Sequence, residues 1–332
     1  MPFRIKVSLA LLALLAGAVL IGPLLWPAPP LEDVQPAASL ADDEATWLDA
    51  GGVRLHAAFT PATRADDRPT PGFVLLHGFA STLRTWDLLA PRLASRAPTL
   101  AFDRPAFGLS ERPTPYGDAA PYRPDAQVAQ TLAAMDAAGA DTAVLIGHSS
   151  GALLALRTAL AHPERVSGLV LIGPAVYTRG GAPAGTRWLL HTPQLNRIGP
   201  LLLRQMAGAS TDELLRAAYA DPDGLYQPAR EAAQQAMRVE GWDRALWAFT
   251  KARRSPRLAG RLDDLRVPVL VLRGEEDTVL PEGDAERLVE ALPAARATRL
   301  AGCGHALHEE CPEAASDAIL AWLDEAHADG PP

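Results

Sequence analysis

The chain predicts a doubly wound, mostly parallel α/β sheet, broken by a helical insertion and preceded by a membrane-targeting helix. Three observations carry this. Short apolar runs recur without polar alternation, as expected of strands buried on both faces. Helical patterns lie between them, and strands alternating with helices build a parallel sheet. One stretch of about 80 residues, from Tyr177 to Pro256, shows no strand pattern at all.

The elements follow in order. Arg4 and Lys6 precede an uncharged apolar run from Val7 to Trp26, long enough to cross a ~30 Å hydrocarbon core as one helix. The basic flank would stay in the cytoplasm and the body would lie outside. An uncleaved signal anchor fits better than a cleaved signal, because a cleaved signal usually has a shorter apolar region. Pro27-Ala28-Pro29-Pro30 and an acidic stretch then read as an exposed linker to Ala45. Trp47 to Thr60 alternates around Gly51-Gly52 and reads as an antiparallel edge hairpin. Strands are expected at Gly72–Leu76, Thr99–Phe102, Ala143–Ile146, Val166–Ile172, Val267–Leu272 and Ala297–Leu300. Helices are expected at Arg84–Ser95, Asp125–Ala138, Ser150–Ala161, Pro281–Leu292 and Pro312–Ala326. The chain thus divides into a targeting segment (1–28), a linker (29–45), a first core part (46–176), a helical lid (177–256) and a second core part (257–327).

The formal net charge of the 332 residues is −8, and the first 30 residues carry Arg4 and Lys6 but no acid, so the body is more acidic still. An acidic body argues against nucleic acid as a partner. A membrane contact would run through the N-terminal helix if that helix is retained. The cysteines, Cys303 and Cys311, are eight apart. An extracytoplasmic body permits a disulfide and the separation suits a loop-to-helix staple, but with no Cα distance to support it two free, buried thiols are the favoured reading. No Cys/His spacing suggests zinc.

The chemistry gathers where strands end, the side on which such sheets bind ligands. Gly147-His148-Ser149-Ser150-Gly151 follows a strand and opens a helix. This is the Gly-x-Ser-x-Gly nucleophile elbow in its strand-turn-helix setting, with Ser149 as nucleophile. His77-Gly78-Phe79 ends an earlier strand, and the N–H groups of Phe79 and Ser150 are the candidate oxyanion donors. His77 reads as structural, with general base as the alternative. Gly274-Glu275-Glu276-Asp277 ends another strand. Asp277 lies deepest in that loop and is the candidate orienting acid, with Glu275 and Glu276 facing solvent. Gly302-Cys303-Gly304-His305 supplies the candidate base His305, with His308 as runner-up.

On these motifs, together with Asp103-Arg104-Pro105-Ala106-Phe107-Gly108-Leu109-Ser110, the chain resembles the α/β-hydrolase superfamily from about Trp47 to Leu323. Within it, the resemblance is to lidded esterases, lipases and carbon–carbon hydrolases. It implies the order Ser149, Asp277, His305 for the triad, no cofactor, no metal and a small-molecule acyl substrate. It also implies that Asp103 and Gly108 are mostly structural. Haloalkane dehalogenases and epoxide hydrolases of this fold carry an aspartate where this chain has Ser149. The expected reaction is hydrolysis of a small or medium carboxylic ester. The alternatives are carbon–carbon hydrolysis of a diketone-like compound and a non-catalytic binding module.

Overall fold

A computed structural model describes residues 3–25, 27–63, 72–113, 120–177, 184–207, 209–252 and 257–328. Helices α1 (Phe3–Leu20), α2 (Gly22–Leu25) and α3 (Ala37–Leu40) come first. The edge hairpin follows as β1 (Thr46–Asp49) and β2 (Arg54–Thr60). The first half of the core then runs β3 (Phe73–Leu76), α4 (Ala90–Leu93), β4 (Thr99–Phe102), α5 (Pro124–Ala137), β5 (Ala143–His148), α6 (Ser150–Ala161) and β6 (Val166–Ile172). The insertion carries α7 (Pro193–Met206), α8 (Ala209–Ala217), α9 (Gln227–Ala236) and α10 (Trp242–Ala252). The chain closes with β7 (Val269–Gly274), α11 (Asp284–Glu290), β8 (Ala295–Leu300), α12 (Leu307–Glu310) and α13 (Pro312–Ala328).

The eight strands form one sheet in the order β1-β2-β4-β3-β5-β6-β7-β8. The β1–β2 and β2–β4 pairs are antiparallel and every other pair is parallel. β3, β4, β5 and β7 are buried at every position. This is why they read as continuous apolar runs. Their period of two sorts the side chains onto two cores. Val74, Leu76, Leu145, Leu171 and Val271 pack with Met135, Leu156 and Leu288 of α5, α6 and α11. Leu75, Ile146, Val170, Ile172 and Leu272 pack with Trp86, Leu93, Ile319 and Trp322 on the other face. The doubly wound expectation therefore holds, with helices covering both faces.

Four expectations need correction. The run from Val7 to Trp26 does not form one spanning helix. α1 stops at Leu20, a turn at Ile21 follows, and α2 carries Gly22 and Pro23, residues that disfavour a continuous helix. The 18 residues of α1 give ~27 Å at ~1.5 Å per residue, and Arg4 and Lys6 fall within them. Among the described residues no helix is long and apolar enough to cross a membrane. The linker residues 29–45 are exposed or half-buried throughout, and they contact the insertion. Gln35 makes a parallel bridge with Val239, Arg204 donates to the carbonyl of Pro29 at 2.6 Å, and Gln235 donates to that of Leu40 at 2.8 Å. The carbonyls of Pro29 and Leu40 are thus taken up by polar side chains of the insertion.

The expected helix Arg84–Ser95 is split into a 3₁₀ turn (Leu83–Trp86) and α4. Pro91 in the first turn of α4 has no N–H to continue the earlier turn. The helix expected from Pro281 begins at Asp284, because Gly283 turns left-handed at φ 86° just before it. Finally, Cys303 and Cys311 form a disulfide, with Cα atoms 6.2 Å apart. Their spacing in sequence did not reveal that a short helix would fold one back on the other.

Between β6 and β7 the described residues are helical or irregular, with no strand, as expected. A third apolar cluster joins this insertion to the core. Ala106, Phe107 and Tyr122 pack against Ala245, Ala248, Phe249 and Ala252 of α10. This seats the insertion over the carboxyl ends of β3 and β4.

Candidate active site

Ser149 sits between β5 and α6 with φ 52° and ψ −113°, a conformation a non-glycine residue rarely adopts. Such strain costs of order 1–3 kcal/mol and persists only where the surroundings hold it. Here the Ser149 N–H donates to the carbonyl of Ile172 at 2.8 Å. The two elbow glycines leave no room for side chains. A Cβ on Gly147 would lie 2.5 Å from the Ala152 nitrogen, and one on Gly151 would lie 2.0 Å from the Leu76 carbonyl oxygen. The strand, the helix and the neighbouring strand are thus pressed together around a partly exposed Ser149.

Asp277 and His305 meet as expected. The His305 Nδ1–H donates to Asp277 Oδ2 at 2.9 Å, and both residues are buried. The other oxygen, Oδ1, accepts the N–H groups of Val279 and Leu280 at 2.9 and 3.1 Å. Burial opposes ionisation of Asp277 and is the largest single influence. The hydrogen bonds from His305 and these two amides outweigh it together, so the carboxyl titrates below its usual range. An ionised Asp277 fixes the proton on His305 Nδ1 and leaves Nε2 as an acceptor. Glu275 and Glu276 are exposed, as expected. Gly173, at the end of β6, lies beneath the imidazole, and a Cβ there would be 2.8 Å from His305 Nδ1.

The other histidines are held elsewhere. His77 is fully buried, its Nδ1–H donates to the carbonyl of Gly78 at 2.8 Å, and its Nε2 accepts the Arg104 N–H at 2.9 Å. Burial, helped by the Arg104 charge, lowers its pKa to about 4. It is a neutral brace of the loop. Arg104 extends this brace, donating to the His77 carbonyl at 2.7 Å and to Ser150 Oγ at 3.2 Å. His308 is buried against Trp86 and His148, with Nε2 2.8 Å from Thr85 Oγ1 and a pKa lowered to about 3, chiefly by burial. Its Nε2 meets Thr85 rather than Asp277.

Gly78 packs close to Ser149: a Cβ there would lie 3.5 Å from that of Ser149. The loop carrying Phe79 therefore borders the nucleophile. Its ring packs edge-on to Phe107 at 5.7 Å and tilted to Phe249 of α10 at 6.0 Å. Beside it is an apolar cavity of about 260 Å³, bounded by Phe79, Phe107, Leu203, Leu214, Met237 and Trp242.

Asp103 is buried in a different role. It accepts from the amides of Leu83 and Leu109 at 2.7 and 2.8 Å and from His56 Nδ1–H at 2.8 Å. Gly108 leaves the space its carboxylate fills, since a Cβ there would lie 1.9 Å from the carboxyl carbon.

A family model described as the alpha/beta hydrolase fold matches residues 71–312. The chain belongs to the α/β-hydrolase fold family. Among relatives of this α/β hydrolase, a segment of the polyketide synthase ThaQ of Burkholderia thailandensis is 30% identical over 264 residues, covering 77% of this chain but only 12% of the synthase. The pimeloyl-[acyl-carrier protein] methyl ester esterase of Aromatoleum aromaticum is 29% identical over 266 residues, covering 73% of this chain and 94% of the esterase. In structure, the 2-hydroxy-6-oxo-6-phenylhexa-2,4-dienoate hydrolase from Rhodococcus sp. strain RHA1 matches with TM-score 0.67 at 22% identity, over 84% of this chain and 98% of that one. That likeness is one of fold. Hydrolytic function is what the family match and the likeness to the esterase support.

Sequence reasoning missed Gly173, and it gave no sign that Glu310 would accept the amides of Gly304, Ala220 and Asp221. Gly173 stood in the sequence as a glycine ending a strand, but only packing brings the loop after β8, with His305, above it. Glu310 carried no signal beyond its nearness to His305.

Proposed function

We propose that this α/β hydrolase cleaves a small or medium carboxylic ester through a Ser149–His305–Asp277 triad. One observation carries the reading. A serine held at positive φ at the end of β5 shares the sheet's carboxyl edge with a histidine whose Nδ1–H is fixed by a buried carboxylate.

In this reading His305 Nε2 takes the Ser149 proton as Oγ attacks the ester carbonyl carbon. The negative charge forming on the carbonyl oxygen is met by the N–H groups of Phe79 and Ser150, with the positive end of the α6 dipole behind them. His305 returns the proton to the leaving alcohol and an acyl-enzyme remains. Water, deprotonated by the same imidazole, attacks it and frees Ser149. Asp277 stays ionised and stabilises the imidazolium.

The apolar cavity beside Phe79 supports an acyl group of medium length. Its ~260 Å³ is roughly nine times the ~30 Å³ share of a liquid water, and Phe79, Leu203, Leu214 and Met237 offer it no charge. The insertion acts in this reading as a lid. A fluorophosphonate probe and a p-nitrophenyl ester series from two to twelve carbons test the proposal. Expected are labelling that Ser149→Ala abolishes and a maximum at intermediate length. An unlabelled folded protein overturns the triad. Labelling without ester turnover points instead to carbon–carbon hydrolysis.

We also place the body outside the cytoplasm. The Cys303–Cys311 disulfide belongs in an oxidising compartment, and a basic start followed by an apolar run is a targeting pattern. Fractionation of the native host checks this, and a cytoplasmic, reduced protein overturns it.

A further inference from the structure

We propose that Glu310 is a positioning residue, whose carboxylate couples the helical insertion to the loop that carries His305. The inference rests on the triad reading above.

The two neighbours of His305 are both tied to one segment of the insertion. On the far side, the Ala306 N–H donates to the carbonyl of Ala218 at 2.8 Å. On the near side, Glu310 Oε2 accepts the Gly304 N–H at 2.6 Å. The other oxygen, Oε1, accepts the N–H groups of Ala220 and Asp221 at 2.7 and 3.2 Å. A single carboxylate therefore bridges residues just after α8 to the residue just before His305. Hydrogen bonds to an ionised acceptor are shorter and stronger than neutral ones, and the two shortest here fit that class.

The close approach is built in at two further points. A Cβ on Gly304 would lie 2.5 Å from the Ala220 nitrogen and 2.8 Å from the Ala218 oxygen. The disulfide joins Cys303 to Cys311, the residues next to Gly304 and Glu310, and keeps the carboxylate within reach of the amide it serves. His305 thus takes its backbone position from the insertion as well as from the sheet. Base catalysis is sensitive to this, since a shift of ~1 Å can cost ~10²-fold in rate.

Glu310→Gln tests the coupling. The amide keeps one acceptor oxygen, but its NH₂ must face an N–H on one side of the bridge. Expected is a kcat lowered by roughly 10- to 100-fold, with KM within about threefold and native circular dichroism. The downfield proton signal of the His305–Asp277 hydrogen bond, assigned by its loss in His305→Ala, should broaden or shift. Glu310→Asp keeps the charge on a shorter arm, and its kcat should fall between wild type and Glu310→Gln. Wild-type kcat with an unmoved proton signal in Glu310→Gln overturns the proposal. So does a loss confined to KM, or one that matches a fall in the folded fraction. If wild-type Ser149 resists the fluorophosphonate probe, the triad reading fails by itself, and the proton signal still decides the role of Glu310.

Discussion

At the scale of single residues the site depends on small clearances. Gly173 shows this most directly, because its missing side chain is the space that the His305 ring occupies. Gly173→Ala sets a methyl against the imidazole at a left-handed φ of 49°, so it should lower Tm somewhat and kcat by about 10²-fold, since the methyl must displace the ring proposed as the base. Steady-state kinetics together with a melting curve check this, and unchanged kcat would place the imidazole elsewhere. Ser149→Ala and His305→Ala should each lower kcat by roughly 10⁴-fold or more, and the double variant should be little worse than either. Additive losses would mean that the two side chains do not act as a unit. Asp277→Asn keeps the shape and removes the charge that fixes the tautomer, so it should lose a similar factor.

At the scale of elements, loops at strand ends are held by buried carboxylates. Asp103 binds three donors from three segments, His56, Leu83 and Leu109, and so ties β2 to the loops after β3 and β4. Asp103→Ala should leave these donors without an acceptor and cost about 3–5 kcal/mol in chemical denaturation. The Cys303–Cys311 disulfide closes a short loop around His305. Reduction, or Cys311→Ser, should cost ~2–3 kcal/mol by loop-closure entropy, a fall of several degrees in Tm.

At the scale of the whole molecule, buried titratable groups set the response to acid. His77, with a pKa lowered to about 4, His308, lowered to about 3, and His148, lowered well below its usual value, all stay neutral in the folded chain, chiefly because of burial. Unfolded, each binds a proton below its ordinary value of ~6.5, so each stabilises the fold above that pH and loses its contribution as the pH falls. Glu309 works the other way. Burial raises it to about 7, so its protonated form favours the fold at low pH and the benefit is lost as the pH rises through that value. Between pH 6.5 and 4.5 the three histidines outweigh the one acid, so the folded state loses stability as the pH falls through this window. Tm should therefore fall steeply from pH 6.5 to 5, as calorimetry in matched buffers can show. A flat profile would mean that these histidines are solvated.

Much of this was legible in the chain. Strands buried on both faces must be continuously apolar, so β3 to β7 stood out wherever a turn residue closed them. Ser149, Asp277 and His305 were legible because each lies in a glycine-bearing loop just after such a run. The edge hairpin was legible from its alternation and paired glycines. The helix ends were less so, since Pro91 and Gly283 act through backbone bonds whose partners a pattern does not name.

The sequence by itself determined the α/β class, the elbow and the identity of the three triad candidates, because these depend on local period, turn chemistry and chain order. Only the tertiary structure decided which buried histidine meets a carboxylate, that Cys303 reaches Cys311, that Gly173 floors the imidazole and that Glu310 bridges the insertion to His305. Each of these is a contact between segments distant in sequence or folded back by a turn. The geometry of such contacts arises only when the sheet and its helices pack.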